Sequence, residues 1–252
     1  MGAVMASEPT PEQSYCAGEA RRNDWERFIC ALFAPRDARE SLFSLIAFNS
    51  ELARTRDVVS QPLLGQIRLQ WWRDAVAAIY GDAPPSAATA THPILVPLGK
   101  AISEHRLERA LLDAMIDARS DELDEGGLNT TEAGTLDVLD YLLSSAGNLA
   151  RLQIAVLSNG TTPNTDTFVA AEHASVAWGL IELVHMKRLA PEDAGEARSH
   201  IEAARKLAPN VDKRYLPVLL PATLAESHLA HPDAGRARRQ LKLAFNAFRG
   251  KF

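Results

Sequence analysis

Cysteine is scarce in this chain. Cys16 and Cys30 are its two copies, and neither has a partner at a metal-ligand spacing. We therefore expect two packed free thiols in a reducing compartment, with neither a disulfide framework nor a structural zinc site.

An excess of positive charge is also lacking. Lys and Arg number 27 against 32 Asp and Glu, the formal net charge is −5, and the pI is about 5.8. Because no block of basic residues stands out, the sequence argues against a nucleic-acid partner.

Targeting and membrane signals are missing from the sequence. No apolar run reaches the roughly 18 residues that a membrane-spanning helix needs. The first fourteen residues contain Glu8 and Glu12 but no Arg or Lys, which is typical of neither a signal peptide nor a transit peptide. We expect residues 1–20 to be a disordered segment.

Common catalytic motifs are absent as well. The 7 histidines form no HExxH pair and no recognisable triad order, and there is neither a GxGxxG loop nor a P-loop. These absences argue against a zinc hydrolase and against nucleotide binding by those routes.

The chain does contain long helical patterns. Hydrophobic residues make up 46% of it, and apolar residues recur at three- and four-residue spacing with no alternating strand pattern. The predicted helices cover 24–33, 36–59, 62–79, 94–104, 106–119, 131–157, 165–189, 191–207, 212–228 and 233–248. We predict an all-α, single-domain bundle of roughly nine or ten helices over residues 21–252.

The segment 28–76 forms a predicted helical hairpin. Leu42, Leu45, Ile46 and Leu52 give its first helix an apolar stripe, and Ser60 and Pro62 mark the start of the second. The expected inward face of the second helix consists of Leu64, Ile67, Trp71, Ala75 and Ile79.

Three segments resemble the squalene/phytoene synthase family. Pro35 and Arg39 precede Leu-Ile-Ala-Phe at 45–48, Tyr141 precedes Ala-Gly-Asn-Leu-Ala at 146–150, and Ser-Val-Ala at 175–177 gives a weaker match. The resemblance implies an isoprenoid-synthase-like fold and, in catalytic members, head-to-head joining of two prenyl diphosphates.

Catalysis in that family uses two DxxxD motifs, whose spacing puts both carboxylates of a motif on one helix face to hold Mg²⁺. The resemblance aligns the first motif with Ala53 and Asp57 and the second with Met186 and Ala190. Three of the four carboxylates are missing, and Arg54 introduces a positive charge beside the first motif. We therefore expect no prenyl transfer by the family mechanism, and no cofactor.

A closer resemblance covers AFNSELARTRDVVSQPLLGQIRLQWWRDAVAAIYGDAPP, residues 47–85. It is similar to a divergent branch of the family that includes a mitochondrial complex I assembly factor and bacterial squalene/phytoene synthase-like proteins. This resemblance implies a non-catalytic scaffold with a protein partner in respiratory complex biogenesis. It implies a bacterial cytoplasmic or mitochondrial matrix location, peripheral to the inner membrane, with membrane or prenyl-lipid contact.

Two alternatives stay open. One is a Mg²⁺-dependent prenyl-diphosphate transferase with a degenerate aspartate-rich site, and the other is an isoprenoid- or lipid-binding protein.

The candidate site residues follow from these hypotheses. Remnant catalytic candidates are Asp57, Glu51 and Tyr141, and Asp57 is also the candidate metal ligand. The candidate substrate-binding residues are Arg39, Arg54, Arg68, Arg73 and Asn148. These arginines can hold phosphate. The structural alternative is an ion pair between the hairpin helices, Asp57 with Arg68 or Glu51 with Arg73.

Overall fold

A computed structural model describes residues 14–82, 92–124, 137–232 and 234–252. Helices dominate these ranges, and no strand occurs within them. The helices are α1 (Tyr15–Asn23), α2 (Trp25–Ala31), α3 (Arg39–Ala53), α4 (Thr55–Val58), α5 (Pro62–Ile79), α6 (Leu95–His105), α7 (Arg109–Asp124), α8 (Val138–Leu142), α9 (Asn148–Ser158), α10 (Thr165–His185), α11 (Ala197–Leu207), α12 (Leu216–Leu219), α13 (Pro221–Ala230) and α14 (Arg236–Phe248). The predicted all-α fold is confirmed. The described ranges hold more segments than the expected nine or ten, because α1 forms near the N-terminus, α4 and α12 are short separate turns, and α8 is separate from α9.

The N-terminal prediction needs a correction. Part of the segment expected to be disordered forms α1, which begins with the Ser14 side chain accepting a hydrogen bond from the Ala17 N–H. Cys16, Ala17 and Ala20 bury its inner face, so this stretch gains the apolar contacts that a disordered segment lacks. Residues 1–13 lie outside the described ranges.

Both cysteines are buried free thiols, as the sequence predicted. Burial raises the pKa of the Cys16 thiol to about 12, and nearby Glu40 and Glu19 add to the shift. The thiol therefore stays protonated and packs as a small apolar group.

The hairpin has a different inward face from the one predicted. Along α3, residues 41–52 are all buried, because α1, α6 and α9 pack around it. On α5 the buried residues are Gly65, Leu69, Trp72, Ala75 and Val76. Leu64 and Ile67 are exposed instead, because α7 packs on the opposite side of α5, where Leu123 lies against Gly65.

The middle of the chain also departs from the predicted boundaries. The helix expected over 131–157 begins at Val138 in the described chain, where the Asp137 side chain caps it in an extended conformation. A wide π turn, Leu143–Gly147, then separates α8 from α9. The capping box predicted from Asn129 and Glu132 falls outside the described residues.

α10 runs through the centre of the bundle and contacts α11, α13, α9 and the π turn. By length and composition alone it could cross a membrane, and it is the one described helix that could. However, 67% of its apolar window is buried inside the protein, which is typical of a core helix. Its central position places one end of α10 beside the candidate site.

Candidate functional site

A cavity of about 340 Å³ lies between the junction of α1 and α2, the end of α3, α7, the π turn and the C-terminal end of α10. Its lining residues are Arg22, Asn23, Asp24, Arg27, Asn49, Ser50, Ala53, Arg54, Asp57, Arg119, Tyr141, Leu142, Ser145, Ala146, Gly179, Glu182, Leu183, Met186 and Arg188. Five are arginines and three are carboxylates. The cavity is therefore polar at its wall and carries an excess of positive charge.

The π turn shapes one wall of the cavity. π turns widen a helix locally and recur at functional sites. Here the widening is matched by Gly179 on α10, because a Cβ at that position would lie 2.5 Å from Leu142 Cδ2. Gly179 therefore permits the close approach of α10 to the wall that carries Tyr141, Ser145 and Ala146.

One ion-pair group at the cavity wall, the Arg27 cluster, comprises Arg27, Asp24 and Glu182. The Arg27 guanidinium donates to Asp24 Oδ2 at 2.8 Å and to the two oxygens of Glu182 at 2.8 and 2.7 Å. Burial opposes the charge on Arg27, but Asp24 and Glu182 outweigh it and raise its pKa. The cluster thus joins α2 to α10 through a paired, largely buried charge.

A second group, the Glu122 cluster, surrounds a carboxylate that is 2% exposed. Tyr141 donates its hydroxyl to Glu122 Oε2 at 2.9 Å, and Arg188 donates to Oε1 at 2.9 Å. Arg56 and Arg119 complete it at 3.3 and 3.7 Å. The cluster therefore connects α7 with α8, α4 and the turn after α10.

Arg188 also holds the remaining family aspartate. Its guanidinium donates to Asp57 Oδ1 at 2.8 Å, so Asp57 lines the cavity with an arginine already bound to it. The chain reverses at Lys187, whose φ of 57° is left-handed. This reversal follows the end of α10 and directs Arg188 back over the cavity.

Arg119 is the least satisfied charge in the site. Its guanidinium lies 4.9 Å from the Tyr141 ring centroid, and its buried Nε has no hydrogen-bond partner. Burial lowers the pKa of Arg119 to about 10, against the raising effect of Glu122. Arg119 remains charged at neutral pH and offers a free donor.

The cavity does not provide a magnesium site of the family type. Ala53 and Met186 occupy two of its aligned carboxylate positions, and Asp57 is bound by Arg188. No group of three His, Cys, Asp or Glu side chains within the described ranges could hold a metal ion. Because Mg²⁺ needs free carboxylate oxygens in near-octahedral geometry, the residues present do not fit the ion.

Three of the residues predicted from sequence meet at this cavity: Asp57, Arg54 and Tyr141. Glu51 lies behind it and pairs closely with Arg68 of α5, and also with Arg54 at 3.4 Å. An ion pair between the hairpin helices therefore exists, but it joins Glu51 to Arg68 rather than either predicted combination.

The other candidates make local structural contacts. Arg39 donates to the Ala34 carbonyl at 2.9 Å, and Arg73 pairs with Asp117 of α7 at 2.8 Å. Asn148, the first residue of α9, donates to the Ser144 carbonyl of the π turn at 2.9 Å. None of the three lines the cavity, and their substrate-binding roles stay predictions.

Several residues of the cavity and its two clusters were not identified from sequence: Arg27, Arg119, Glu122, Glu182 and Arg188. A signal existed for two of them, because Arg119 and Glu122 continue the three- and four-residue spacing of buried Leu112 and Met115 on α7. Nothing in the local pattern marks Arg188, whose role depends on the reversal at Lys187.

The overall fold of the chain is similar to that of two solved synthases. It superposes on a dehydrosqualene synthase crystallised with a ligand at a TM-score of 0.69, with 13% identity, covering 92% of this chain and 93% of that one. For squalene synthase HpnC from Alicyclobacillus acidocaldarius, the TM-score is 0.61 and the identity 16%, covering 94% of each chain. At these identities the likeness defines the fold.

The chain belongs to the squalene/phytoene synthase family, whose sequence profile matches residues 20–194. It is 31% identical over 167 residues to NADH dehydrogenase (ubiquinone) complex I, assembly factor 6 of Bos taurus, covering 66% of this chain. A presqualene diphosphate synthase of Rhodopseudomonas palustris is 25% identical over 197 residues, covering 78% of this chain and 64% of that protein. The match spans 46% of the length of the bovine assembly factor.

Proposed function

We propose that this protein is a non-catalytic member of the squalene/phytoene synthase family that assists the assembly of respiratory complex I. The observation that carries the proposal is the shortage of free carboxylates in the cavity. Asp57 is bound to Arg188, and Ala53 and Met186 stand where the family aligns carboxylates.

The physical reason is electrostatic. Ionisation of an allylic diphosphate requires cations to neutralise the leaving group, and such stabilisation is usually the largest single contribution to catalysis. The cavity carboxylates are instead neutralised by arginines in the Arg27 and Glu122 clusters. We therefore expect no Mg²⁺ cofactor and no prenyl transfer.

The assembly role is supported by similarity to the assembly factor of several animals, including the human protein at 30% identity. Fold alone does not define function, so the partner belongs to the proposal. The proposed partner is a protein of respiratory complex biogenesis. We propose that the two proteins bind at the inner-membrane surface, in the bacterial cytoplasm or the mitochondrial matrix. Contact with membrane or prenyl lipid forms part of this proposal.

A catalytic assay tests the non-enzymatic part. The purified chain is incubated with farnesyl or geranylgeranyl diphosphate and Mg²⁺, and the extract is examined for squalene-, presqualene- or phytoene-type products. A catalytically competent squalene synthase provides the positive control. We expect no product above a boiled-protein control, and any head-to-head product would contradict the proposal.

A cellular assay tests the assembly part. Deletion of the gene in its own host is expected to lower the amount of assembled complex I on native gels, and re-expression of the chain should restore it. An Arg36→Glu variant, changed at an exposed site away from the cavity, provides a control. It should restore assembled complex I as fully as the unmodified chain does. Normal complex I in the deletion strain would rule out the assembly role.

The alternative of a prenyltransferase has one observation in its favour, the similarity to presqualene diphosphate synthase over 197 residues. The lipid-binding alternative is favoured by the cavity of about 340 Å³ and its unpaired Arg119 Nε. The product assay decides the first. Mass spectrometry of lipid extracted from the purified protein decides the second.

A further inference from the structure

The C-terminal helix α14 concentrates positive charge in a chain that is acidic overall. From residue 234 to residue 252 there is no Asp or Glu. The basic residues of this segment are Arg236, Arg238, Arg239, Lys242, Arg249 and Lys251. Because the net charge of the whole chain is −5, the positive potential is localised at this end of the molecule.

The same helix exposes large apolar side chains. Leu241, Phe245 and Phe248 are 73, 58 and 94% exposed, and their spacing of four and three residues places them on one face. The opposite face packs on the bundle through Leu243, which is buried, and through Ala247. The helix therefore has an inner apolar face that is covered and an outer one that is not.

Basic side chains border the outer apolar face. At 100° per residue, Arg238 and Arg249 project beside Phe245, and the Arg249 guanidinium lies 5.2 Å from the Phe245 ring centroid. Within the described chain, Arg238 and Arg249 form no ion pair with a carboxylate, whereas Lys242 is held by Glu226 at 2.6 Å. Arg238 lies 3.3 Å from His231 Nε2. Because both arginines are exposed and neither is bound to an acid there, both are available to an external anion.

We propose that α14 is a membrane-docking helix that binds the surface of an anionic phospholipid bilayer. Leu241, Phe245 and Phe248 insert at the boundary between headgroups and acyl chains, and the flanking arginines bind headgroup phosphates. The inference rests on the proposed function, which includes contact with a membrane, and it assigns that contact to the outer face of α14. It does not depend on the absence of catalysis.

Charge complementarity favours a bilayer over the other occupants. A second copy of the chain would bring the same positive surface against itself, which opposes docking. A nucleic acid would match the charge, but it gives three adjacent aliphatic and aromatic side chains no apolar phase to enter. An anionic bilayer provides both an apolar phase and negative charge within the depth of one helix face.

The test is flotation of the full chain with vesicles of phosphatidylcholine that contain about one-third phosphatidylglycerol, compared with pure phosphatidylcholine. We expect binding to the anionic vesicles that weakens as salt is raised. Phe245→Ser with Phe248→Ser should reduce the partition coefficient at least about tenfold. Arg238→Glu with Arg249→Glu should have a similar or larger effect.

Matched controls come from exposed residues elsewhere. Val96→Ser removes an apolar side chain that is 77% exposed on α6, and Arg36→Glu reverses an exposed charge near α3. Both should leave the partition coefficient unchanged. Because every altered side chain projects into solvent, each variant should fold. Circular dichroism and thermal unfolding verify this.

The proposal would be overturned by no flotation with anionic vesicles, by equal binding to neutral vesicles, by unchanged binding of both α14 variants, or by a dimer that dissociates when Phe245 and Phe248 are replaced. Displacement of vesicles by duplex DNA at low molar ratio would also overturn it. Vesicle binding is measured on purified protein and complex I accumulation in cells. A failure of this inference is therefore distinct from a failure of the assembly role.

Discussion

Arg27 provides the most direct test of the charge pairing in the cavity wall. Replacing Arg27 with Met keeps an unbranched side chain but leaves Asp24 and Glu182, both joined to it at 2.7–2.8 Å, without their shared cation. Removing one partner of a buried pair costs about 3–5 kcal/mol, because the remaining charge stays desolvated. The exposed pair of Lys100 with Glu104 offers a control, since the two side chains are 60 and 50% exposed and such pairs contribute about 0–1 kcal/mol.

The measurement is urea unfolding followed by far-ultraviolet circular dichroism at pH 7. We expect Arg27→Met to lower the free energy of unfolding by about 3–5 kcal/mol and Lys100→Met by less than about 1 kcal/mol. The double variant Arg27→Met with Glu182→Leu should recover part of the loss, because one unpaired carboxylate is then removed.

The pH dependence gives a second, independent readout. Burial raises the pKa of Glu182, while Arg27 opposes that rise, so the Arg27→Met variant should carry a still higher pKa. Between the ordinary glutamate pKa and the raised one, the folded state binds more protons than the unfolded state, so stability falls as pH increases. The cost of Arg27→Met should therefore be larger at pH 8 than at pH 5. A loss no greater than that of Lys100→Met, or one independent of pH, would refute the reasoning.

Three further outcomes are expected. Hydrogen bonding from Arg205, more than any other contact, lowers the pKa of Glu226 to about 2. The wild-type protein should therefore lose stability as pH falls from the ordinary glutamate value of 4.5 towards 2, and acid titration of Glu226→Gln should show a smaller loss. Burial lowers the pKa of His228 to about 4, so the folded state binds fewer protons between pH 4 and 6.5; the rise of stability with pH in that window should shrink in His228→Leu, as thermal melts across the range would test. Gly179→Ala should lower the free energy of unfolding in urea by about 1–3 kcal/mol. Adding Leu142→Ala to the same chain should reduce that cost. An unchanged urea midpoint for Gly179→Ala would contradict the close approach of α10.

The fold was largely predictable from sequence because its signals are local. Three- and four-residue apolar spacing identified α3, α9 and α10. The cap at Asp24 and the early-helix proline Pro62 indicated two helix starts. The inward face of α5 was not predictable, since Leu64 and Ile67 have the same apolar character as the buried Leu69 and Val76. Which stripe turns inward is decided by the packing of α7, a contact between segments distant in sequence.

The site was predictable only where the family pattern supplied positions. Asp57, Arg54 and Tyr141 were found in this way, and all three line the cavity. The Glu122 cluster was not, because its partners come from four separate segments of the chain. Glu122 itself belongs to an acidic run that resembles a solvated helix end, and only the tertiary structure shows it to be buried.

The Glu122 and Arg27 clusters have a consequence for how readily a metal site could be built into this cavity. Restoring an aspartate at position 53 or 186 would add a carboxylate to a wall lined by five arginines, which would bind it before any cation did. Each arginine also balances a buried acid, so removing it first would destabilise the fold. Neither order of single substitutions therefore offers a smooth route to a metal site at this cavity.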